Sequence, residues 1–282
     1  MIDFRSLLLS GKLLQIPGAH DALSARMIQE AGFTAYGVGG AALSVTQLAL
    51  PDISLQSFGE YRDAVGRIME GSSLPVMIDG ENGFGDAKAI TRTIRSFERM
   101  GIAGIAFEDL FLPPVLGRSP RLIERQEMQV KLEAALAARC DDRLFIIGRT
   151  DAAHTVGLDE ALLRARQFET LGVDAVLVTG LADRDAFLRL RDAVKIPIFA
   201  VVVPGIPWFA PTPEDLTEIG IEAALYPAAV MTHVIVGIGN GLNAIRSANG
   251  ASPPGFSMGR IGTLMKVAEW QEIDQRFNVD SK

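Results

Sequence analysis

The chain has 282 residues, 48% of them hydrophobic, with 27 basic against 34 acidic side chains, enough to bury one large core in a single enzyme-sized domain. The net charge of −7 leaves no basic stripe for nucleic acid or an anionic membrane surface. One cysteine, Cys140, excludes an internal disulfide and a thiolate zinc cluster. No apolar run reaches the roughly 18 residues of a membrane span, and the N-terminus lacks the ordered regions of a signal peptide, so a cytoplasmic protein is expected.

In chain order, short apolar runs suited to buried parallel strands fall near 13–17, 34–38, 75–79, 104–108, 144–149, 174–179, 197–202 and 222–226. Gly32, Gly101, Gly172 and Gly220 each end an amphipathic stretch just before such a run. That is the position after a helix where a left-handed conformation costs glycine no Cβ clash. Pro75 and Pro197 mark strand starts, where a missing N–H matters little. Thr212 before Pro213 reads as an N-cap, and Asp159 and Asp183 suit the positive end of a helix dipole. Eight strands alternating with helices predict an α/β fold, a (β/α)8 TIM barrel over residues 1–250.

Residues 203–213, with four prolines and Trp208-Phe209, read as a long loop at the active face. The pattern breaks at 248–255, and 258–277 reads as one amphipathic helix within a C-terminal extension, 251–282. A ninth helix is surplus to a closed barrel. Its apolar residues, among them Ile261, Leu264 and Trp270, need a partner surface, either their own barrel or a second subunit, and an oligomer contact is expected.

Chemistry concentrates where strands end. The run from Pro75 passes into Asp79 and Glu81, the fourth strand ends in Glu108 and the fifth in Arg149, and loops after the C-terminal ends of barrel strands carry the active site. Asp79 and Glu81 can share a face only if the chain turns after Asp79, which Gly80 and Gly83 permit. An all-oxygen set of this kind suits Mg²⁺ or Mn²⁺ better than zinc. The competing reading is that the acids cap helices or pair with arginines at the rim. Arg149 could fork onto a substrate carboxylate or an enolate, or bridge to Glu108 or Asp151. The backbone N–H groups of Gly39, Gly40 and Ala41 could form an anion nest. His20, His154 and His233 are read as packing or surface residues, with His154 the one near the mouth.

Taken together, Gly39-Gly40, Leu50-Pro51-Asp52, Ile78-Asp79-Gly80-Glu81, Phe107-Glu108-Asp109 and Gly148-Arg149-Thr150-Asp151-Ala152 resemble the isocitrate lyase / phosphoenolpyruvate mutase superfamily over about residues 10 to 247. The resemblance implies a Mg²⁺-dependent barrel acting on 2-oxo or 2-hydroxy acids through enolate-like intermediates. It also implies a homotetramer, a dimer of dimers, that swaps its last helices. By that likeness Asp79, Glu81 and Glu108 surround the metal, and Arg149 and Asp52 are catalytic. Gly39, Gly40, Ala41, Thr179 and Val203 join Arg149 around the substrate.

Departures from the family narrow the activity. The loop after strand four reads Leu110-Phe-Leu-Pro-Pro-Val-Leu-Gly117-Arg118-Ser119, without the Lys-Lys-Cys-Gly-His of isocitrate and methylisocitrate lyases. Thr179 stands where those lyases have glutamate. Phosphonopyruvate or phosphoenolpyruvate chemistry would need cationic groups in this loop, where Arg118 and Ser119 are the candidates. The nearest likeness is to the oxaloacetate decarboxylase branch, although Val203 and Ala228 replace its tyrosine and histidine. The expected activity is decarboxylation of a small 2-oxo dicarboxylic acid. Phosphonate chemistry, methylisocitrate lyase-like cleavage of a 2-hydroxy acid and a catalytically inactive ligand-binding barrel are the alternatives.

Overall fold

The structure, a computed structural model, describes residues 4–203, 205, 211–247 and 256–277. Its strands are β1 (Leu14–Pro17), β2 (Tyr36–Val38), β3 (Val76–Asp79), β4 (Gly104–Glu108), β5 (Phe145–Thr150), β6 (Ala175–Val178), β7 (Ile198–Val201) and β8 (Ala223–Tyr226). All neighbouring strands pair in parallel, in the order β1-β8-β7-β6-β5-β4-β3-β2. The two ends of that order meet where Gly18 bridges Gly37 and the Ala19 N–H donates to the Gly37 carbonyl at 2.8 Å. The sheet is therefore a nearly closed barrel, as the eight apolar runs predict.

The helices up to the eighth strand are α1 (Phe4–Leu8), α2 (Ala22–Glu30), α3 (Gly40–Leu43), α4 (Phe58–Met69), α5 (Ala87–Met100), α6 (Arg125–Ala138), α7 (Ala152–Thr155), α8 (Leu158–Leu171), α9 (Arg184–Ala193) and α10 (Pro213–Ile219). Their ends follow the expected chemistry. Gly32, Gly101, Gly172 and Gly220 all have φ between 82° and 88°. Thr212 caps α10 with Pro213 in the first turn, and Asp183 caps α9 through the Ala186 N–H. Ser57 and Glu60 form a reciprocal capping box at α4.

Strand alternation divides the core in two. Residues such as Ile78, Ile105, Phe107, Ile146, Val176 and Ile198 pack outward against the helices. Ile16, Met77, Ala106, Phe145, Ile147, Leu177 and Phe199 fill the barrel itself. Phe4 on α1 meets Phe145 edge-on at 5.6 Å and Phe199 at 6.2 Å, closing the N-terminal end of the barrel. Burial of each such ring contributes on the order of 1.5–3 kcal/mol. The inward parity continues at the opposite end through Asp79, Glu108 and Arg149, so the same alternation that builds the core aims these charges along the barrel axis.

The chain clusters into two units, residues 1–231 and 232–282. The second comprises most of α11 (Ala229–Arg246), α12 (Met258–Leu264) and α13 (Val267–Phe277). The expectation of one continuous helix over 258–277 is corrected. Helix α12 ends at Leu264 with Met265 as its C-cap, and Lys266 takes a positive φ of 54°, which breaks the i to i+4 ladder before α13. Ile245, Met258, Trp270 and Phe277 are exposed. The break at 248–255 and the Trp208-Phe209 segment lie outside the described residues. No helix among the described residues is long and apolar enough to cross a membrane.

Candidate active site

A cavity of about 510 Å³ opens at the C-terminal ends of the strands, within the first unit. Asp52, Asp79, Glu81, Glu108 and Arg149 border it, as do Gly39, Gly40, Ala41, Thr179 and Val203. The residues that the family resemblance assigns to metal, substrate and catalysis thus all border one cavity.

The turn after β3 explains how two acids one residue apart share a face. The Gly80 N–H donates to the Ala106 carbonyl at 2.7 Å, and the Glu81 N–H donates to Asp79 Oδ1 at 3.0 Å. Glu81 itself adopts φ 51°, which swings its side chain back toward the cavity. Position 80 has no room for a side chain, because a Cβ there would lie 2.7 Å from Phe107 Cε1. Gly40 is required for a different reason: a Cβ built on it would overlap Glu81 Oε1. Helix α3 starts at Gly40 after the extended Gly39, and its first-turn N–H groups have no partner in the helix ladder. A π-helical turn, Ser44–Leu48, follows, and the loop beyond it brings Asp52 to the rim.

Arg149 stands at the centre of the charges. Its Nη1 lies 2.7 Å from Asp79 Oδ2, its Nη2 2.9 Å from Glu108 Oε2 and its Nε 3.0 Å from Asp151 Oδ2. β4 and β5 are registered so that Glu108 is level with Arg149. A second layer holds this group in place. Thr179 Oγ1 donates to Asp151 Oδ1 at 2.6 Å, and the Asp151 N–H and Thr150 Oγ1 both donate to the carboxylate of Asp109. Asp109 also receives Arg164 Nη1 at 3.1 Å. The sequence patterns did not reveal Asp109, Thr150 and Arg164 as a supporting network. The outward parity of Asp109, directly after the inward Glu108, was the available signal.

The electrostatics follow from crowding acids around one partly buried cavity. Burial, reinforced by Asp79 and Asp52, pushes the Glu81 carboxyl up to about 8, with Arg149 pulling the other way. Burial drives Glu108 well above the ordinary carboxylate range despite Arg149. Asp52 is raised by burial and by Asp79. For Arg149, burial opposes the charge, but Asp151, Glu108 and Asp79 outweigh it and hold the guanidinium protonated.

Four carboxylate residues and two arginines, Arg149 and Arg121, therefore line one cavity. Among the described residues, no three acidic, histidine or cysteine side chains converge closely enough to ligate one ion together. Arg149 draws Asp79 and Glu108 toward itself instead. Magnesium takes one or two carboxylates and keeps its waters, so an all-oxygen donor set of crowded acids, whose raised protons a cation would displace, fits such an ion.

The remaining wall is apolar. Leu177, Val201, Val203, Leu225, Ala228 and Met231 line it from β6 to the start of α11. The loop after β4 folds back on itself, with the Phe111 N–H donating to the Arg121 carbonyl at 2.8 Å and Leu110 bridging Leu122. It presents Leu110, Phe111, Leu112, Pro114, Pro120 and Arg121 to the cavity. Arg118 and Ser119, the sequence candidates for anion binding, do not border it. His154 packs on Gly180, and His20 is buried before α2 with Nδ1 unpartnered. Cys140 is exposed beyond the end of α6.

Residues 4–246 match the family described as phosphoenolpyruvate phosphomutase. An oxaloacetate decarboxylase of Rhodopseudomonas palustris (strain BisA53) is 35% identical over 95% of this chain and 92% of its own length. The 2,3-dimethylmalate lyase of Eubacterium barkeri is 29% identical over 97% and 96% of the two chains. Among solved structures, a phosphonopyruvate hydrolase in complex with oxalate and Mg²⁺ superposes with a TM-score of 0.88 at 25% identity, covering 98% of each chain. With its barrel, its charged cavity and a match running through nearly the whole described sequence, the chain belongs to the phosphoenolpyruvate phosphomutase family.

Proposed function

We propose that the protein is a Mg²⁺-dependent carbon–carbon lyase that decarboxylates a small 2-oxo dicarboxylic acid of the oxaloacetate type. The observation that carries this reading is the set Asp79, Glu81, Glu108 and Arg149, half-buried to buried, at one end of a cavity whose opposite wall is mostly apolar. Asp79, Glu81 and Glu108 would hold the ion, in part through water, and Mn²⁺ would serve in its place. When bound, it supplies a Lewis acid for the 2-oxo group and its neighbouring carboxylate.

The chain's own groups do the rest. N–H groups at Gly40 and Ala41 offer donors to the carboxylate beside the oxo group. Arg149 donates to the oxyanion that develops as the carbon–carbon bond breaks, and it is positioned by Asp151, which Thr179 anchors in turn. Asp52, raised by burial, stands at the rim as a proton carrier. Leu177, Val201 and Leu225 keep water from the reacting carbons.

We read the exposed apolar residues of α11, α12 and α13 as a contact between copies in a homo-oligomer, which sedimentation velocity would show as a dimer or tetramer. Neither the charge balance nor any described helix favours nucleic acid or membrane as partner, and a cytoplasmic location is proposed. The activity is tested by screening 2-oxo and 2-hydroxy acids for release of CO₂ or pyruvate, with Mg²⁺ and with chelator. Chelator-sensitive release from oxaloacetate above the uncatalysed rate is expected. No turnover of any acid, together with no Mg²⁺-dependent binding of oxalate by calorimetry, would reject the reading.

A further inference from the structure

A 2-oxo dicarboxylate brings two negative charges into the cavity. The carboxylate beside the oxo group would be met at the acid-rich end, by the first-turn amides of α3 and by the ion that Asp79, Glu81 and Glu108 would hold. The second carboxylate would then project away from that end toward the apolar wall, and a carboxylate desolvated without a partner is costly. Two arginines line the cavity among the described residues. Arg149 is committed to Asp79, Glu108 and Asp151.

The other is Arg121. It has no acidic partner among the described residues, and its guanidinium rests 4.4 Å from the centre of the Phe111 ring. The hydrogen bond between the Phe111 N–H and the Arg121 carbonyl, with the neighbouring Leu110–Leu122 bridge, roots both residues at the base of the loop. A guanidinium stacked on a ring keeps its in-plane N–H donors available, so a residue that lines the cavity carries a fork with no ion pair to break among the described residues.

We propose that Arg121 is the specificity-determining residue for the substrate's second carboxylate, so that the loop after β4 selects 2-oxo dicarboxylates over 2-oxo monocarboxylates. The proposal rests on the reading of the site given above and adds the group that distinguishes its substrates. It carries a kinetic signature. In decarboxylation the bond between the carboxylate and C3 breaks, its electron pair passes to C3 and the 2-oxo oxygen, the carboxylate leaves as neutral CO₂, and C3 takes up a proton. An ion pair to that carboxylate is strongest before reaction and fades as charge moves away. Arg121 therefore contributes to binding rather than to the chemical step.

The test compares the unaltered protein with Arg121→Met and Arg121→Lys. Calorimetry with Mg²⁺ measures binding of oxalate, which fits the acid-rich end alone, and of 2-oxoglutarate against 2-oxovalerate, which lacks the second carboxylate. Steady-state rates are taken with oxaloacetate. In Arg121→Met, the preference for 2-oxoglutarate and the KM for oxaloacetate should worsen by about 10–100-fold, the loss typical of a charge-assisted hydrogen bond. Oxalate binding should stay within about twofold and kcat should hold or rise, because a contact that weakens on the way to the transition state holds the bound substrate back, and Arg121→Lys should recover part of the loss. An unchanged preference, or equal weakening of oxalate, would overturn the role of Arg121. A parallel fall in kcat would do the same, since general disruption of the loop predicts it. Failure of the unaltered protein to bind oxalate with Mg²⁺ would instead reject the underlying reading of the site, and the proposal with it.

Discussion

The two halves of the cavity are built alike and filled differently. From β3 to β5 the inward positions at the strand ends are Asp79, Glu108 and Arg149. From β6 to β8 the equivalent positions are Leu177 and Thr179, Val201, and Leu225. The backbone presents both sets through the same parity, so the contrast lies in side-chain chemistry alone. It teaches a division of labour: the charged half can concentrate and move electrons, while the apolar half can only admit or refuse a shape.

The sharpest way to break that comparison is Arg149→Ala. Removing a donor to a developing oxyanion should lower kcat by about 10²–10³, measured at saturating substrate and Mg²⁺, and near-normal turnover would end the assignment. Gly40→Ala comes next. The added methyl collides with the Glu81 carboxylate, and displacing a group that orients the site should weaken Mg²⁺ by about 10–100-fold in a calorimetric titration. Unaltered affinity would show that Glu81 is not part of the ion site. In the apolar half, Val203→Ala should leave the metal affinity alone. It should shift relative kcat/KM between substrates differing by one methylene by about 10-fold; no shift would mean that this wall does not touch the substrate.

The smallest effect concerns pH. Glu81 keeps its proton up to about 8 in the fold, whereas its ordinary value is 4.5. Between those values the native state binds more protons than the unfolded chain, so its contribution to stability is present at pH 4 and is lost as pH rises through about 8. Burial shifts Glu108 in the same direction. The Tm of the chelator-treated protein should therefore drop on going from pH 5 to 8, and Glu81→Gln should flatten the drop. A Tm that rises over this range in both proteins would contradict the assignment.

Much of this frame was legible from sequence. Strand positions could be read within a residue or two because each strand is a continuous apolar run between punctuating residues, as at Pro75 before β3 or Gly101 before β4. The acids and Arg149 were legible because polar residues at the end of a buried strand have few structural reasons to be there. The collision between Gly40 and Glu81 was not, since it joins residues 41 positions apart whose closeness depends on the turn at Gly80. Arg121 is hidden in the sequence for a similar reason. Nothing in Pro120-Arg121-Leu122 announces a cavity-facing cation until the loop folds back and Phe111 meets it. The choice of Arg149 among Asp79, Glu108 and Asp151 is likewise a three-dimensional outcome, and so is the kink at Lys266.

One consequence follows from how the ring of strands is fastened. Seven of the eight seams are ladders of at least two registered pairs, but β1 and β2 are clasped at a single bridge, between two glycines. Gly18 and Gly37 offer no side chains to zip that joint, and the Gly39-Gly40 amides lie just past it. Breathing of the native molecule is thus cheapest at its clasp, and amide hydrogens around Gly37 should exchange with solvent sooner than those of β5, on the opposite side of the ring.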